Sequence, residues 1–226
     1  MSVGAREDGP RRLGSVPAET FPPVTLAADR LGSGAFDVIA VAASAGGLNA
    51  VTKVLSGLSR TIPAAIVVVQ HLDPRHRSLM AEILTRRVAL VVRQAEDGSA
   101  LEAGTVLVAP PDRHLLVNRD GSCSLSRSEL VHFVRPSADL LFESVAASYG
   151  GRAIAVVLSG SGSDGSGGVT AIKKMGGTVI VQEATTSEFS GMPTAAIETG
   201  AADFVLALDE IAHALETLLV NERRSP

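Results

Sequence analysis

Apolar positions along this chain fall into short unbroken runs separated by stretches of helical period. Val38 to Ala43, within Asp37-Val-Ile-Ala-Val-Ala-Ala-Ser-Ala-Gly-Gly47, is one such run with no polar interruption. A run of that kind suits a parallel strand covered on both faces. The pattern then predicts a helix over 48–58 and a second buried strand over 64–70. A helix from Pro74 to about Arg87 should follow, with Asp73 as its cap. Strands are expected over 90–94 and 105–109, the second stopped by Pro110-Pro111. Segments 114–117 and 122–125 flank Asn118-Arg119-Asp120-Gly121, a hairpin signal with Gly at the left-handed position.

Ser137 should cap a helix over 138–149, and 153–158 is another buried strand. It empties into the glycine-rich stretch 159–168, from which a helix runs to Met175 and ends at Gly176-Gly177. A strand over 178–182, a short helix over 192–198, a strand over 203–206 and a helix over 208–220 complete the pattern. Strands alternating with helices predict an α/β fold: a doubly wound, mostly parallel sheet with helices on both faces and a small β-hairpin. Residues 1–35, rich in Pro, Gly, Arg and Ser, read as a flexible tail, with a docking arm as the other reading. Residues 36–220 read as one folded unit and 221–226 as a C-terminal tail.

Composition narrows the function classes. The net charge of -4 gives no basic field and no case for nucleic-acid binding. Cys123 is the only cysteine, so no internal disulfide can form and a reducing compartment fits. No apolar run has transmembrane length and the N-terminus has no secretory apolar region, so membrane insertion is not expected and a cytoplasmic location is.

The ends of the buried strands carry the candidate chemistry. Ser44 ends the first strand, and Ala45, Gly46 and Gly47 let the backbone turn sharply and leave N–H groups free at the next helix start. His71 follows the second strand, and Asp164 lies in the late glycine-rich loop. In a doubly wound sheet all three should open onto one edge, where ligands collect. A Ser, a His and an Asp so placed can form an acyl-transfer relay, since the triad is defined by geometry and not by chain order. Each residue alone has a plainer reading: Ser44 as a helix cap, His71 as a buried carbonyl-bonded histidine, Asp164 as the cap of the helix starting at Gly165.

Other chemistries find less. His71, Asp73 and His76 cluster, but Pro74 breaks any simple helical face between them, so no metal site is expected. Two Gly-rich loops could cradle phosphates, yet no G-x-x-x-x-G-K-[ST] motif occurs and the second strand ends in Gln70-His71 with no acid for a ribose. No cofactor is expected. His114 could line the cleft, His132 and His213 read as surface residues, and Met192 reads as core or a cleft wall.

From about Phe36 to Leu219 the chain resembles the catalytic domain of CheB, the chemotaxis protein-glutamate methylesterase. The resemblance rests on Ala43-Ser44-Ala45-Gly46-Gly47, Val69-Gln70-His71, Ala109-Pro110-Pro111-Asp112-Arg113-His114 and Arg135-Pro136-Ser137-Ala138-Asp139-Leu140-Leu141-Phe142. It continues in Leu158-Ser159-Gly160-Ser161-Gly162-Ser163-Asp164-Gly165 and Phe189-Ser190-Gly191-Met192-Pro193. It implies Ser44 as nucleophile, His71 as base and Asp164 as the third member, hydrolysing glutamate γ-methyl esters on methyl-accepting chemotaxis receptors to methanol without a cofactor. Many members of the family also deamidate receptor glutamines. Backbone N–H groups around Ala45, Gly46 and Ser161 would hold the oxyanion, with Met192 at the cleft.

Two features depart from the family's pattern. Its members usually carry a receiver domain ahead of the esterase, whereas only the first 35 or so residues precede it here. The expectation is a stand-alone esterase or one controlled by a separate response-regulator chain. Position 161 is Ser where the family commonly has Met, which makes the cleft wall more polar and bears on substrate choice. The reading from another class is a catalytically idle interaction module in a chemosensory-like system.

Overall fold

The structure, a computed structural model, describes residues 37–71 and 78–221. Elements follow in the expected order: β1 (Val38–Ala43), α1 (Gly47–Ser56), β2 (Ala65–Gln70), α2 (Met80–Thr85), β3 (Val91–Gln94), β4 (Thr105–Val108), β5 (His114–Val117) and β6 (Cys123–Ser126). Then come α3 (Ala138–Tyr149), β7 (Ala153–Val157), α4 (Ser166–Lys174), β8 (Thr178–Gln182), α5 (Gly191–Glu198), β9 (Phe204–Leu206) and α6 (Ile211–Asn221). Seven strands form one sheet in the order β3-β4-β2-β1-β7-β8-β9, every pair parallel, and β5 and β6 form a separate antiparallel hairpin.

The apolar runs are unbroken because both faces of the central strands are covered. On one face Val38, Ala40 and Ala42 of β1 meet Phe142 and Val145 of α3, Val169 of α4, Ala196 of α5 and Leu115 of the hairpin. On the other, Ile39 and Val41 meet Val51 and Leu55 of α1, Leu84 of α2 and Leu215 of α6. The chain leaves β1 toward β2, β4 and β3 on one side of the sheet, while β7 leads to β8 and β9 on the other. The boundary between β1 and β7 is therefore a topological switch point, and the crevice beyond its carboxyl ends is where such sheets bind ligands.

Three expectations change. The helix expected from Pro74 begins at Met80 behind Leu79; Asp73, Pro74 and His76 lie outside the described residues, as do the expected tails apart from Asn221, which ends α6. The helix expected from Leu208 begins at Ile211, because Glu210 folds back to accept the Ala207 N–H at 3.2 Å and holds a turn there. Two 3₁₀ turns, Gly150–Arg152 and Ala184–Thr186, were not legible in the periodicity.

α3 and α4 touch through a glycine. A Cβ on Gly168 would lie 2.6 Å from the Phe142 Cβ and 3.0 Å from the Asp139 carbonyl oxygen. Gly168→Val is thus expected to lower the unfolding free energy by about 3 kcal/mol, the upper end of ordinary overpacking, because backbone cannot give way as a flexible side chain can. Urea unfolding midpoints of the two proteins measure it.

Candidate active site

The switch point brings the three strand-end residues to one edge. Ala43 pairs with Gln70 in the β1–β2 register, so Ser44 stands across from His71. The His71 N–H donates to the Ala43 carbonyl at 3.1 Å, and the Ser44 N–H donates to the Ser159 carbonyl beyond β7 at 3.0 Å. Ser44 is half-buried, and no hydrogen bond links its hydroxyl to His71 among the described residues. A bond of this kind is often loose without substrate. Ser44 is not the helix cap: that position of α1 is Gly46, at φ 72° and with no side-chain cap, which leaves the Ser44 hydroxyl unused by the helix.

Gln70 holds the two strand ends together. It is 5% exposed, and its Nε2 donates to the Ser44 carbonyl at 2.5 Å and to the His71 carbonyl at 3.2 Å. A Cβ on Gly47 would lie 2.2 Å from the Gln70 Oε1, so glycine is required there.

His71 and Asp164 are joined directly, Nε2 to Oδ2 at 2.7 Å. Asp164 does not cap α4, whose N-cap is Gly165 with no side-chain bond. It reaches across to the start of α3 and accepts from the Ala138 N–H at 2.6 Å, the Asp139 N–H at 3.1 Å and the Ser137 hydroxyl at 2.8 Å. Asp139 returns the exchange, its Oδ1 accepting from the α4 N–H groups of Gly165 at 3.0 Å and Gly168 at 2.7 Å. Each helix start is thus satisfied by the other segment's carboxylate, as helix dipoles favour. At the start of α4 the Gly165 and Gly168 N–H groups are thereby taken by Asp139, and that of Ser166 by the Ser163 carbonyl at 3.1 Å.

The two carboxylates are shifted in opposite directions. For Asp164 burial is the largest single influence and pushes its pKa up, but the bonds from His71, Ala138 and Ser137 together outweigh it and hold the carboxyl below its ordinary value. Burial pushes Asp139 up foremost, the Asp164 charge adds to it, and the bonds from Gly168 and Gly165 with the nearby His132 do not offset the rise. Of the two, Asp164 is the carboxylate whose surroundings favour the ionised form, and it is the one bonded to His71.

The remaining candidates sort clearly. The N–H groups of Ala45 and Ser161 take no acceptor among the described residues, while the Ala45 carbonyl is fixed by the Ser159 hydroxyl at 2.9 Å. Gly46 lies beside Glu188, whose Oε2 would stand 2.8 Å from a Cβ at that glycine. Ser161 is exposed. Met192 is buried beneath Gly160 and its N–H is taken by the Gly160 carbonyl at 2.9 Å, so it packs in the core and donates nothing to the crevice. His114 does not line the cleft; it is wholly buried. His132 is at the surface, within 3.2 Å of Asp139, and His213 is exposed. Burial pushes the Cys123 thiol up to about 12, which removes it as a nucleophile. Among the described residues no group of His, Cys, Asp and Glu is arranged to hold a metal, and no helix is long and apolar enough to cross a membrane.

Comparison with known proteins gives the family and the fold. The CheB methylesterase family model matches residues 39–215. A protein-glutamate methylesterase/protein-glutamine glutaminase of Moorella thermoacetica is 41% identical over 187 residues, 81% of this chain and 44% of that protein. A putative enzyme of the same name from Leptospira interrogans is 39% identical over 177 residues, 78% of this chain and 92% of that protein. A third, from Anaeromyxobacter dehalogenans, is 45% identical over 179 residues, 79% of this chain and 52% of that protein. The chain thus spans about half the length of the Moorella and Anaeromyxobacter relatives. The crystal structure of the Thermotoga maritima CheB methylesterase catalytic domain superposes with a TM-score of 0.78 at 35% identity, covering 81% of this chain and 98% of that one. The fold is shared with that domain.

Proposed function

We propose, from the premise that this chain belongs to the CheB methylesterase family, that it is a serine hydrolase acting on glutamate γ-methyl esters of chemotaxis receptors. The observation that carries the reading is the 2.7 Å bond from His71, on the strand end facing Ser44, to the buried Asp164. With Nε2 bonded to Asp164, Nδ1 of His71 is the nitrogen left to take the Ser44 proton. Ser44 Oγ then attacks the ester carbonyl, and the Ala45 and Ser161 N–H groups receive the developing oxyanion. The tetrahedral intermediate collapses as His71 returns the proton to the leaving oxygen, releasing methanol and leaving a glutamyl ester on Ser44. Water, deprotonated by His71, attacks that ester; Ser44 regains its proton and a free γ-carboxylate leaves. Asp164 keeps its negative charge throughout, fixing the ring and stabilising the imidazolium.

The same steps release ammonia from a glutamine side chain, and the relatives' name carries both activities. Residues 36–220 form the catalytic unit in this reading, working in the cytoplasm. A fluorophosphonate that reacts with activated serines tests the class of chemistry. The expected result is a single adduct mapped to Ser44; no adduct, or one on another serine, overturns the reading.

A further inference from the structure

The mechanism leaves one buried histidine and one buried serine unused, and they are bonded to each other. His114 and Ser137 are both 0% exposed. The Ser137 N–H donates to His114 Nδ1 at 3.1 Å, and His114 Nε2 lies 2.9 Å from the Glu129 carbonyl. A carbonyl can only accept and an N–H can only donate, so the ring is the neutral Nε2–H tautomer with both nitrogens satisfied. A buried neutral histidine in this state fixes the backbone of Ser137 on the β5 side.

Ser137 is the N-cap of α3, but capping does not account for its hydroxyl. As a cap it accepts the Leu140 N–H at a long 3.4 Å. Its own hydrogen is directed at Asp164 Oδ1, at 2.8 Å. Asp164 Oδ2 faces His71. Together with the Ala138 and Asp139 N–H groups on the same carboxylate, the hydroxyl restrains its rotation about the terminal bond, and that rotation is what would swing Oδ2 away from the ring.

We propose that Ser137, held in place by His114, is a positioning residue for the catalytic carboxylate, extending the relay to His114–Ser137–Asp164–His71. The inference rests on Asp164 being the triad acid, and it concerns how that acid is aimed. A serine that only capped α3 would contribute to stability and leave the His71 ring untouched.

The test uses histidine labelled with ¹⁵N and needs no substrate. In the native protein His71 should show one tautomer, Nε2–H, with a downfield proton from its bond to Asp164. Ser137→Gly removes the hydroxyl at little cost in helix capping, since glycine is itself a tolerated N-cap. The expected result is a mixture of tautomers at His71 and loss of the downfield proton, with phosphonate labelling of Ser44 slowed about tenfold, as loss of one charge-assisted hydrogen bond would give. Ser137→Thr, which keeps the hydroxyl, should restore both. An unchanged His71 signal in Ser137→Gly overturns the proposal and leaves Ser137 as a cap. Failure of the native protein to label at Ser44 would instead overturn the hydrolase reading.

Discussion

Ser44→Ala is expected to lower ester turnover on the order of a millionfold in kcat, with KM little changed, because the members of the proposed triad would act as a unit. The expectation is this sharp because the hydroxyl does nothing else among the described residues. Ser44 is tied down through its main chain: its N–H to the Ser159 carbonyl at 3.0 Å, and its carbonyl to the Gln70 amide at 2.5 Å and the Gly47 N–H at 2.9 Å. The helix that follows is capped by Gly46 and takes nothing from Ser44. Alanine keeps every one of those bonds, so the unfolding midpoint should stay put while turnover collapses. Kinetics and thermal unfolding of the same two preparations check both halves. A fall in activity matched by a fall in midpoint would assign Ser44 a structural role instead.

Asp164→Asn should cost about 10⁴-fold in kcat, the size expected when the histidine loses its orienting charge and tautomer. Unlike Ser44→Ala, this change should also destabilise the fold. Asp164 accepts four hydrogen bonds with two oxygens, from His71, Ser137, Ala138 and Asp139. An asparagine has one accepting oxygen. Whichever way its amide turns, its NH₂ confronts a backbone N–H, that of Ala138 on one side or of Asp139 on the other. A buried donor left without an acceptor, together with the lost carboxylate at the start of α3, is expected to cost about 3 kcal/mol. The measurement is kcat alongside the urea midpoint. Activity lost at unchanged stability would mean that α3 does not depend on this carboxylate.

The alternation of elements was legible because the central strands are buried on both faces and therefore read as Val38–Ala43 does, without polar interruption, or as Ala65–Gln70 does, apolar up to its last residue. Ser44, His71 and Asp164 stood out because each follows such a strand. What could not be read were interactions between segments distant in sequence. Taken alone, Asp164 reads equally well as the cap of its own helix, whereas it serves α3 and Asp139 serves α4; the two starts lie side by side only because both helices pack on the same face of the sheet. His114 looked like a cleft residue because it follows a Pro-Pro loop, but the hairpin turns it inward to the Ser137 backbone. Gln70 carried no signal beyond its place in a motif, since its function depends on the β1–β2 register. Met192 was open between core and cleft, and the close approach of Gly160 decided for the core.

The most direct measurement of the central claim is the fate of a receptor fragment carrying γ-methyl glutamate at known positions, incubated with the native protein and followed by methanol release and peptide mass. The account predicts methanol and free glutamate in equal amounts at those positions, and ammonia from the same fragment when glutamine replaces the ester. Release of neither product, from a protein whose Ser44 still reacts with a phosphonate, would contradict it: the chain would then be a serine hydrolase for some other ester.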